Sequence, residues 1–540
     1  MTESDNPFAG YTRRKFLNDL GKAGGAGAVY GAMGALGLFA APLGAQPTNF
    51  VPPGQLRRGR GGSGKHVIVL GAGIAGLTAA YELGKVGYKV TLLEGRNRSG
   101  GRNWTVRGGD TETETDGVTQ MCQFDQGEYM NAGPARLPQH HVTIDYCREL
   151  GVPLEVFTNQ NADAYYYNEG SGFGPLGGEK VRHRTAKADL YGYTAQLLAK
   201  AADQGALDIP LSDADRELLI GFMRSFGNLT SENKYEGSTR RGFRVSPSAG
   251  SQRGEVDPPF ALSELLQSRF GLRFAFEFGW DQAMLMFQPV GGMDAIPKAL
   301  ENAIRPTAKS IYGAKVSGIY NTNGGVRVEY QDNSRVPKQI EGDYCICTIP
   351  PQILKNIPSN FSAEVVTALG VPTPVSTGKI GLQYRRRFWE EDEKILGGIT
   401  GTNLNLSTIW YPSHGYLGRK GVVVGYYNFG PNANFYSDLD PRSREQEALM
   451  QGAKIHGPAY INELENSFSV SWIKTPFSEG GWVGWPAPGG ERVPAYDLLN
   501  QPEGNVHFAG DHLSYYIAWQ AGAFDSARKV VMEIEERASA

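Results

Sequence analysis

The alternation of apolar and polar positions divides the chain into segments with different predicted structures. Residues 67–102 give an apolar strand, a glycine-rich turn, a helix, a second strand and an acid, Glu94. Later strand patterns occur at 325–331, 344–350, 377–389 and 421–430. Residues 505–538 then give a short strand, a turn and a long helix. Because the first unit lies early and its candidate partners lie late, the pattern predicts a discontinuous domain whose sheet the C-terminus completes.

A different periodicity marks the middle of the chain. Helical spacing of apolar residues dominates from about 180 to 275, where Ser212 or Asp213 is a candidate N-cap. Residues 142–150 also predict a short helix, whereas the polar run at 107–120 predicts a surface loop. The pattern therefore predicts an α/β region, then a mostly helical subdomain, and then returning strands.

Composition narrows the classes of function. The 540 residues carry a formal net charge of −3 and no basic stripe, so nucleic acid is not an expected partner. The four cysteines form no CxxC pair, and the eight histidines do not cluster with them at metal-ligand spacing, so no metal is expected. The cysteines are interpreted as buried core residues, and they are Cys122, Cys147, Cys345 and Cys347.

The N-terminus resembles a twin-arginine export signal. Arg13 and Arg14 precede an apolar run rich in glycine and alanine, with a predicted cleavage point near Ala45. The run is poor in leucine and isoleucine, so a stable membrane span is not expected. A disordered tail with a chance arginine pair is the alternative. The sequence therefore predicts an exported protein, located in the periplasm or outside the cell.

Three glycines, Gly71, Gly73 and Gly76, form a GxGxxG turn between the first strand and its helix. The first permits a tight turn, the second lets the backbone approach a pyrophosphate, and the third lets helix and strand pack closely. The helix that begins near Ile74 points its N-terminal amides at the phosphates. Glu94 ends the second strand, where a carboxylate binds ribose hydroxyls. Together these features predict a dinucleotide-binding unit.

The continuation of this unit resembles that of the flavin amine oxidases. The segment "EGRNRSGGRNW" contains the GGR extension whose arginine, Arg102 in this chain, meets the flavin pyrophosphate in that family. Further segments resemble the family in the same order, at 131–138, 289–300, 313–319, 377–389 and 507–527. The resemblance runs from about residue 60 to the end and implies FAD as the cofactor. No cysteine lies in the C-terminal flavin segment, so non-covalent FAD is expected.

The resemblance also implies a fold class and a set of cofactor-binding residues. The fold is α/β with an added α part: a discontinuous Rossmann-like (GR2-type) FAD-binding domain, a β-sheet-based substrate domain and a helical subdomain. The predicted limits are 1–45 for the export signal, 46–64 for a linker, 65–117, 280–350 and 491–540 for the FAD-binding domain, 118–179 and 351–490 for the substrate-binding domain, and 180–279 for the helical subdomain. The implied FAD-binding residues are Gly71, Gly73, Ala75, Gly76, Glu94, Gly95, Arg96, Gly101, Arg102, Gly133, Pro134, Ala135, Arg136, Val316, Gly510, Asp511, Ala518 and Trp519.

Within this family the chain is most similar to L-amino-acid oxidases and the related bacterial amino-acid oxidase/monooxygenases. An amino acid bears a carboxylate that a simple amine lacks, and a buried arginine binds it through two parallel hydrogen bonds. Arg136 matches the substrate arginine of the family. Tyr427 matches its carboxylate-binding tyrosine, with the neighbouring Tyr426 leaving the register open by one. The alternatives are a salt-bridged loop arginine and a core aromatic residue.

The resemblance places three more residues at the site. Lys379 matches a lysine that the family holds beside the flavin through a water molecule, so it is the candidate catalytic residue. A strand lysine that points to solvent is the alternative. Trp472 and Trp519 are candidate walls of the substrate pocket, although large aromatic residues also commonly fill cores.

The implied function is FAD-dependent oxidative deamination of L-amino acids. Hydride transfer from the α-carbon to the flavin would yield a 2-oxo acid, ammonia and hydrogen peroxide. The expected partners are the L-amino acid and oxygen, within a homodimer or higher homo-oligomer. The alternatives are an amino-acid 2-monooxygenase, a polyamine or monoamine oxidase, and a non-catalytic flavin-fold binding protein. Arg136 argues against simple amines. Lys379, together with the carboxylate clamp formed by Arg136 and Tyr427, argues against a non-catalytic binding protein.

The export hypothesis predicts that replacing both Arg13 and Arg14 with lysine leaves the protein in the cytoplasm, because the arginine pair is the signal's recognition element. Cell fractionation and immunoblotting measure this location. Replacing Arg57 and Arg58 with lysine, in the predicted linker, is the matched control and should leave export intact. Normal appearance of the Arg13/Arg14 variant in the periplasm or medium would contradict the signal.

Overall fold

The structure is a computed structural model that describes residues 64–282, 285–487 and 492–539. The predicted export signal, with Arg13, Arg14 and Ala45, lies outside the described residues, as does the predicted linker up to residue 63. Export therefore stays a prediction.

The described residues contain the following regular elements. The strands are β1 (His66–Leu70), β2 (Lys89–Leu93), β3 (Thr105–Arg107), β4 (Thr111–Thr113), β5 (Thr119–Met121), β6 (Tyr129–Asn131), β7 (Leu137–Pro138), β8 (Leu154–Phe157), β9 (Tyr165–Tyr167), β10 (Lys180–Arg182), β11 (Met286–Pro289), β12 (Ala308–Ile311), β13 (Lys315–Thr322), β14 (Gly325–Gln331), β15 (Pro337–Gly342), β16 (Tyr344–Cys347), β17 (Thr373–Val375), β18 (Thr377–Tyr384), β19 (Gly398–Thr402), β20 (Thr408–Tyr411), β21 (Gly421–Phe429), β22 (Leu464–Ser471), β23 (Trp482–Gly484) and β24 (Val506–Phe508). The α-helices are α1 (Ile74–Val86), α2 (Val142–Glu149), α3 (His183–Asp203), α4 (Asp213–Gly227), α5 (Leu262–Ser268), α6 (Ala295–Ile304), α7 (Pro351–Leu354), α8 (Ala363–Leu369), α9 (Phe388–Glu391), α10 (Gly430–Ser437), α11 (Pro441–His456), α12 (Ala459–Asn462), α13 (Pro494–Leu499) and α14 (Gln520–Ser539).

These elements form two units. Among the described residues, 184–271 form the smaller unit, and the segments on either side of them form the larger one. The finer domain limits predicted from the sequence stay a prediction.

A five-stranded parallel sheet runs through the larger unit. Its strand order is β12-β2-β1-β16-β24, so neighbouring strands come from distant parts of the chain. Parallel strands need long crossover connections and are covered on both faces, which explains their nearly continuous apolar runs. The edge strand β24 comes from the C-terminal segment. The predicted discontinuous α/β fold is confirmed.

Alternate residues of β1 enter two different apolar clusters. Val67 and Val69 pack with apolar residues of α1, α6 and α14, whereas Ile68 and Leu70 pack with those of β13, β14 and α8. This division follows from the period of two in a strand, which turns successive side chains to opposite faces. The sheet is therefore covered by helices on one side and by a β-meander with short helices on the other.

A second, seven-stranded sheet lies in the same unit, with the order β10-β9-β19-β20-β21-β18-β22. Its pairs are antiparallel except for the parallel pair β9 and β19. Strand β18 lies between β21 and β22, and all eight of its residues are buried. This sheet therefore positions the side chains of β18 and β21 in the interior.

The smaller unit contains the predicted helices. Ser212, one of the two predicted caps, is the N-cap of α4. Its side chain accepts a hydrogen bond from the backbone N–H of Asp215. A buried polar group holds the unit together: Asp189 on α3 accepts from Tyr235 at 2.7 Å and from Arg241 at 2.5 Å. A charge buried in this way is stable because its partners satisfy it.

Two other local predictions can be judged directly. The helix predicted at 142–150 is α2, which confirms it. The polar run at 107–120 is not a plain surface loop, because part of it forms the hairpin of β4 and β5. Glu114, next to β4, is 4% exposed and pairs with the fully buried Arg444 of α11. That long-range ion pair turns one acid of a polar run inward, which the local pattern does not reveal.

Two further observations concern the cysteines and the hydrophobicity of the helices. All four cysteines are buried and carry free thiols, as predicted. Within the described ranges, no helix combines the length and the apolar character that crossing a membrane requires.

Candidate active site

Two glycines where β1 passes into α1, Gly71 and Gly76, have no room for a side chain. Gly71 has φ +101°, and a Cβ added there would lie 2.5 Å from Thr348 Oγ1. A Cβ added to Gly76 would lie 1.9 Å from the carbonyl oxygen of Gly71, a backbone atom that cannot move aside alone. The helix therefore starts close against the strand.

A cavity of about 680 Å³ opens beside this turn, at the carboxyl ends of β1, β2 and β16. Such a volume is typical of a site for a small molecule or cofactor. The position also follows the rule for open α/β sheets, since the chain turns to opposite sides of β1 to form β2 and β16. The predicted cofactor residues that line the cavity are Gly71, Gly73, Ala75, Glu94, Gly95, Arg96, Gly101, Arg102, Gly133, Pro134, Val316, Gly510, Asp511, Ala518 and Trp519.

Three predicted cofactor residues do not line the cavity itself: Gly76, Ala135 and Arg136. Gly76 lies behind the wall, where its closeness to Gly71 shapes the turn. Arg136 lies against the ring of Trp519, which does line the cavity. Gly76 therefore shapes the cavity wall without being part of it.

Glu94 directly follows β2 and is held in place by the backbone. Its carboxylate accepts the N–H of Ala72 at 2.7 Å and the N–H of Arg96 at 2.8 Å. A carboxylate offers about four acceptor positions, so others remain for hydroxyl groups in the cavity. This geometry suits the predicted contact with ribose.

Arg102 and Asp511 form an ion pair at one wall of the cavity. Burial alone would raise the pKa of the Asp511 carboxyl, but Arg102 and other neighbours bring it below its ordinary value. Asp511 also accepts the backbone N–H of Ala518 at 3.1 Å, and Ala518 has a left-handed φ of +67°. The pair therefore ties the C-terminal cofactor segment to the first dinucleotide-binding unit.

Aromatic rings surround the guanidinium group of Arg136. Its central carbon lies 4.6 Å from the ring centre of Trp410, 5.8 Å from that of Trp519 and 5.7 Å from that of Phe276. Gln282 accepts a hydrogen bond from Nη2 at 2.9 Å. The buried Nε and Nη1 atoms make no hydrogen bond within the described part of the chain. Burial lowers the pKa of Arg136 to about 10, so it stays charged at neutral pH.

Lys379 lies on β18 with its side chain in the interior. It is 1% exposed, and Nζ donates to the carbonyl oxygen of Asn131 at 3.0 Å and to that of Gly133. Burial, followed by the charge of Arg136, lowers the pKa of Lys379 to about 7. The alternative of a lysine that points to solvent is therefore wrong.

Lys379 and Arg136 share one aromatic environment. The Lys379 Nζ atom lies 4.4 Å from the ring centre of Tyr427 and 5.6 Å from that of Trp410, the ring that also contacts Arg136. Among the described residues, no acidic side chain forms an ion pair with either cation, and none contributes to either pKa shift. The pocket therefore carries positive charge that the described residues do not neutralise.

Strand β21 places Tyr427, rather than Tyr426, at the cavity. Tyr427 is paired with Lys379 across the sheet and lines the cavity. Tyr426 is 1% exposed and packs on the ring of Tyr436. Because adjacent strand residues face opposite sides, the sheet resolves the register that the sequence left open.

The two predicted tryptophans both line the cavity. Trp472 is 3% exposed, and its Nε1 donates to the carbonyl oxygen of Ala132 at 2.9 Å, so it is also a core residue. Trp519 contacts Arg136 on one side, and its ring meets that of His141 edge-on at 5.2 Å. Both positions agree with the predicted role as pocket walls.

The sequence analysis missed Trp410, Phe276 and Gln282, which surround Arg136. Trp410 lies in "STIWYP", a short run of β-branched and aromatic residues that is typical of a strand and was a usable signal. Phe276 and Gln282 lie in 3-10 helices within Phe270–Gln282, where no motif points to an arginine far back in the chain.

Comparison with known proteins identifies the family to which this chain belongs. The profile of the family described as flavin containing amine oxidoreductase matches residues 74–534. The chain belongs to this family. It is therefore a flavin-dependent amine oxidoreductase, and its cofactor is non-covalently bound FAD, as predicted.

The chain is similar to named amino-acid oxidases over most of its length. The Bacillus subtilis (strain 168) protein YobN, named provisionally as an L-amino-acid oxidase, is 26% identical over 506 residues, which cover 87% of this chain and 94% of that protein. The L-amino-acid oxidase of Gloydius blomhoffii is 28% identical over 497 residues, covering 87% and 89%. The solved structure of cyclohexylamine oxidase from Brevibacterium oxydans IH-35A has a TM-score of 0.57 at 16% identity, covering 88% and 99%. The last comparison shows a shared fold.

The cavity residues fit FAD on their own geometry. The crowded glycine turn leaves open backbone where a pyrophosphate must approach, and the N-terminus of α1 supplies donors for it. Glu94 would hold the ribose hydroxyls, and Val316 would face the adenine. Arg102 supplies positive charge beside the same cavity.

The glycine turn predicts a specific loss of FAD affinity. In Gly76→Ala, the new Cβ collides with backbone at Gly71, so the turn must open. We expect the dissociation constant for FAD to rise roughly tenfold or more, which corresponds to a loss of about 1.4 kcal/mol or more of binding free energy. Titration of FAD fluorescence against the apoprotein measures it. Gly221→Ala, on α4 with no atom within 4 Å of the added Cβ, is the matched control. Unchanged affinity in Gly76→Ala would contradict this account of the turn.

The burial of Lys379 predicts an unusual titration. Its ammonium group should carry a charge below pH 7 and lose it above, with a midpoint near a pKa of about 7. NMR of protein labelled with 13C at the lysine Cε carbons measures that midpoint. The early-titrating signal should vanish in Lys379→Met and persist in Lys309→Met, an exposed control. Absence of any lysine signal that titrates well below pH 10 would show that Lys379 keeps an ordinary pKa.

Proposed function

We propose that the protein oxidises L-amino acids to 2-oxo acids, with release of ammonia and hydrogen peroxide. The observation that supports this most strongly is Arg136, a charged side chain in an aromatic pocket with two buried, unpartnered nitrogen atoms. A buried charge is costly unless an opposite charge pairs with it. An α-carboxylate supplies that charge, and a simple amine does not.

The geometry of the guanidinium group refines this argument. A carboxylate binds in parallel either to the edge formed by Nε and Nη2 or to the edge formed by Nη1 and Nη2. Both edges use Nη2, which has two hydrogens, and Gln282 accepts one of them. One bidentate edge of Arg136 therefore remains for an α-carboxylate while Gln282 stays in place.

The chain orients the substrate for a reaction whose electron chemistry belongs to the cofactor. FAD, when bound, supplies the oxidation by accepting a hydride from the α-carbon and later passing the electrons to oxygen. Arg136 fixes the carboxylate, and the rings of Trp410 and Trp519 exclude water around it. Lys379, with a pKa of about 7, can hold or release a proton at Nζ near neutral pH. Tyr427 offers a hydroxyl from the same face of the sheet as Lys379.

An apolar cluster that includes Trp410, one of the rings around Arg136, favours a large apolar substrate side chain. Phe157, Met286, Ile399 and Trp410 form one apolar cluster, and Tyr427 and Trp519 pack on it. Aromatic and aliphatic walls gain free energy from burying apolar surface and offer no opposite charge to a lysine or arginine substrate. We therefore propose amino acids such as leucine, methionine and phenylalanine as substrates. Export of the protein and its assembly as a homo-oligomer remain parts of the proposal that rest on the sequence.

The clamp predicts different effects of Arg136→Ala on two substrate classes. For L-leucine, kcat/KM should fall by roughly a hundredfold or more, since loss of a buried charge partner costs about 2–5 kcal/mol. For isopentylamine, which has the same side chain without a carboxylate, kcat/KM should not fall. Peroxide production by the FAD-loaded protein measures both rates.

Arg148→Ala, which removes an exposed arginine on α2, is the matched control and should match the unchanged protein. Unaltered oxidation of L-leucine by Arg136→Ala would contradict the clamp, and oxidation of amines alone by the unchanged protein would favour an amine oxidase. Product analysis completes the test, because an amide as the main product identifies an amino-acid 2-monooxygenase.

A further inference from the structure

Three potential metal ligands converge at the turn before α2. The Nε2 atom of His141 lies 3.0 Å from Oδ1 of Asp281, and the Nε2 atom of His140 lies 3.9 Å from the same oxygen. All three ligand atoms lie within 4.8 Å of one another. Two imidazole nitrogens and a carboxylate oxygen thus point at one small volume.

Hydrogen bonds do not connect all three of these side chains. His141 is close enough to Asp281 for a hydrogen bond, but His140 is not, and His140 makes no hydrogen bond within the described part of the chain. A divalent ion bound at about 2.0–2.2 Å from each ligand would join all three. Ligands around such a tetrahedral ion lie a little over 3 Å apart, so modest movements of exposed side chains complete the set.

The surroundings position the group and leave it accessible. The His140 ring packs on the Trp280 ring at 4.4 Å, and the His141 ring meets Tyr516 at 5.0 Å. The side chains of His140 and Asp281 are 23% and 32% exposed, so an ion can enter and water can fill a fourth position. Two imidazoles and one carboxylate suit Zn²⁺ and its neighbours Cu²⁺ and Ni²⁺ better than Mg²⁺ or Ca²⁺.

We propose that His140, His141 and Asp281 form a binding site for a Zn²⁺-type ion that controls access to Arg136. The coupling follows from the chain, because Asp281 directly precedes Gln282, whose side chain accepts the hydrogen bond from Arg136. An ion held by Asp281 fixes Gln282 against the guanidinium group. Because one bidentate edge of Arg136 stays free while Gln282 is in place, the bound ion holds that edge ready for a substrate carboxylate. This second part rests on the proposed amino-acid oxidase function.

Calorimetric titration of Zn²⁺ into the FAD-loaded, tag-free chain tests the site. We expect one ion per chain, with affinity at least roughly tenfold weaker in His140→Ala and in Asp281→Asn, since even outer-shell partners of a metal contribute about that much. His140→Cys should retain binding, because a thiolate is also a zinc ligand. Gln139→Ala, in the same exposed turn, is the matched control and should bind as the unchanged chain does. No saturable binding, or equal binding in both ligand variants, would overturn the site.

Steady-state oxidation of L-leucine tests the coupling. Saturating Zn²⁺ should lower KM at least a few-fold with little change in kcat, because it holds the free edge of Arg136 in place, and His140→Ala should lose this response while oxidising L-leucine normally without Zn²⁺. An unchanged KM at full occupancy would overturn the coupling. If the protein oxidises no amino acid, the proposed function fails together with the coupling, and the calorimetric titrations still decide the metal site.

Discussion

The proposed substrate site depends on two cationic side chains, the buried Lys379 and the partly buried Arg136, neither of which has a carboxylate partner among the described residues. Arg136 and Lys379 both approach the ring of Trp410. Burial lowers the pKa of each group, the charge of Arg136 lowers that of Lys379 further, and no carboxylate among the described residues raises either pKa. Aromatic faces offset part of the cost of burial. They do not replace an opposite charge, so the pocket is complete only when a ligand brings one. The proposed preference for a carboxylate follows from this electrostatic constraint.

The fold builds this pocket from two sheets of one unit. The parallel sheet carries the cofactor cavity at the carboxyl ends of β1 and β2, and the seven-stranded sheet carries Lys379 and Tyr427 on neighbouring strands. Lys379 connects them by donating to the carbonyl oxygens of Asn131 and Gly133, the latter at the cavity wall. The backbone segment 131–136 therefore contacts Lys379, contributes to the cavity wall and carries Arg136.

The short segment Trp280–Gln282 connects Arg136, the proposed carboxylate-binding residue, with the proposed metal site. Gln282 faces Arg136, and Asp281 faces the two histidines, so adjacent residues serve different groups. The coupling that we propose between the metal site and Arg136 depends on this adjacency. The segment also brings Trp280 onto His140, which adds apolar contact to a polar cluster.

The sequence by itself determined the features whose causes are local. The GxGxxG turn, the acid at Glu94 and the order of the family motifs predicted the FAD fold and many of the residues that line the cavity, because steric limits within a few residues dictate a strand–turn–helix unit. Tertiary structure alone decided which residues meet across the chain. The choice of Tyr427 over Tyr426 depended on strand register, the inward turn of Glu114 on Arg444, and the surroundings of Arg136 on residues 276, 282 and 410. His140 and His141 gained their third ligand from Asp281, 140 positions later than His141. Such contacts depend on packing between distant segments, and no local spacing in the chain records them.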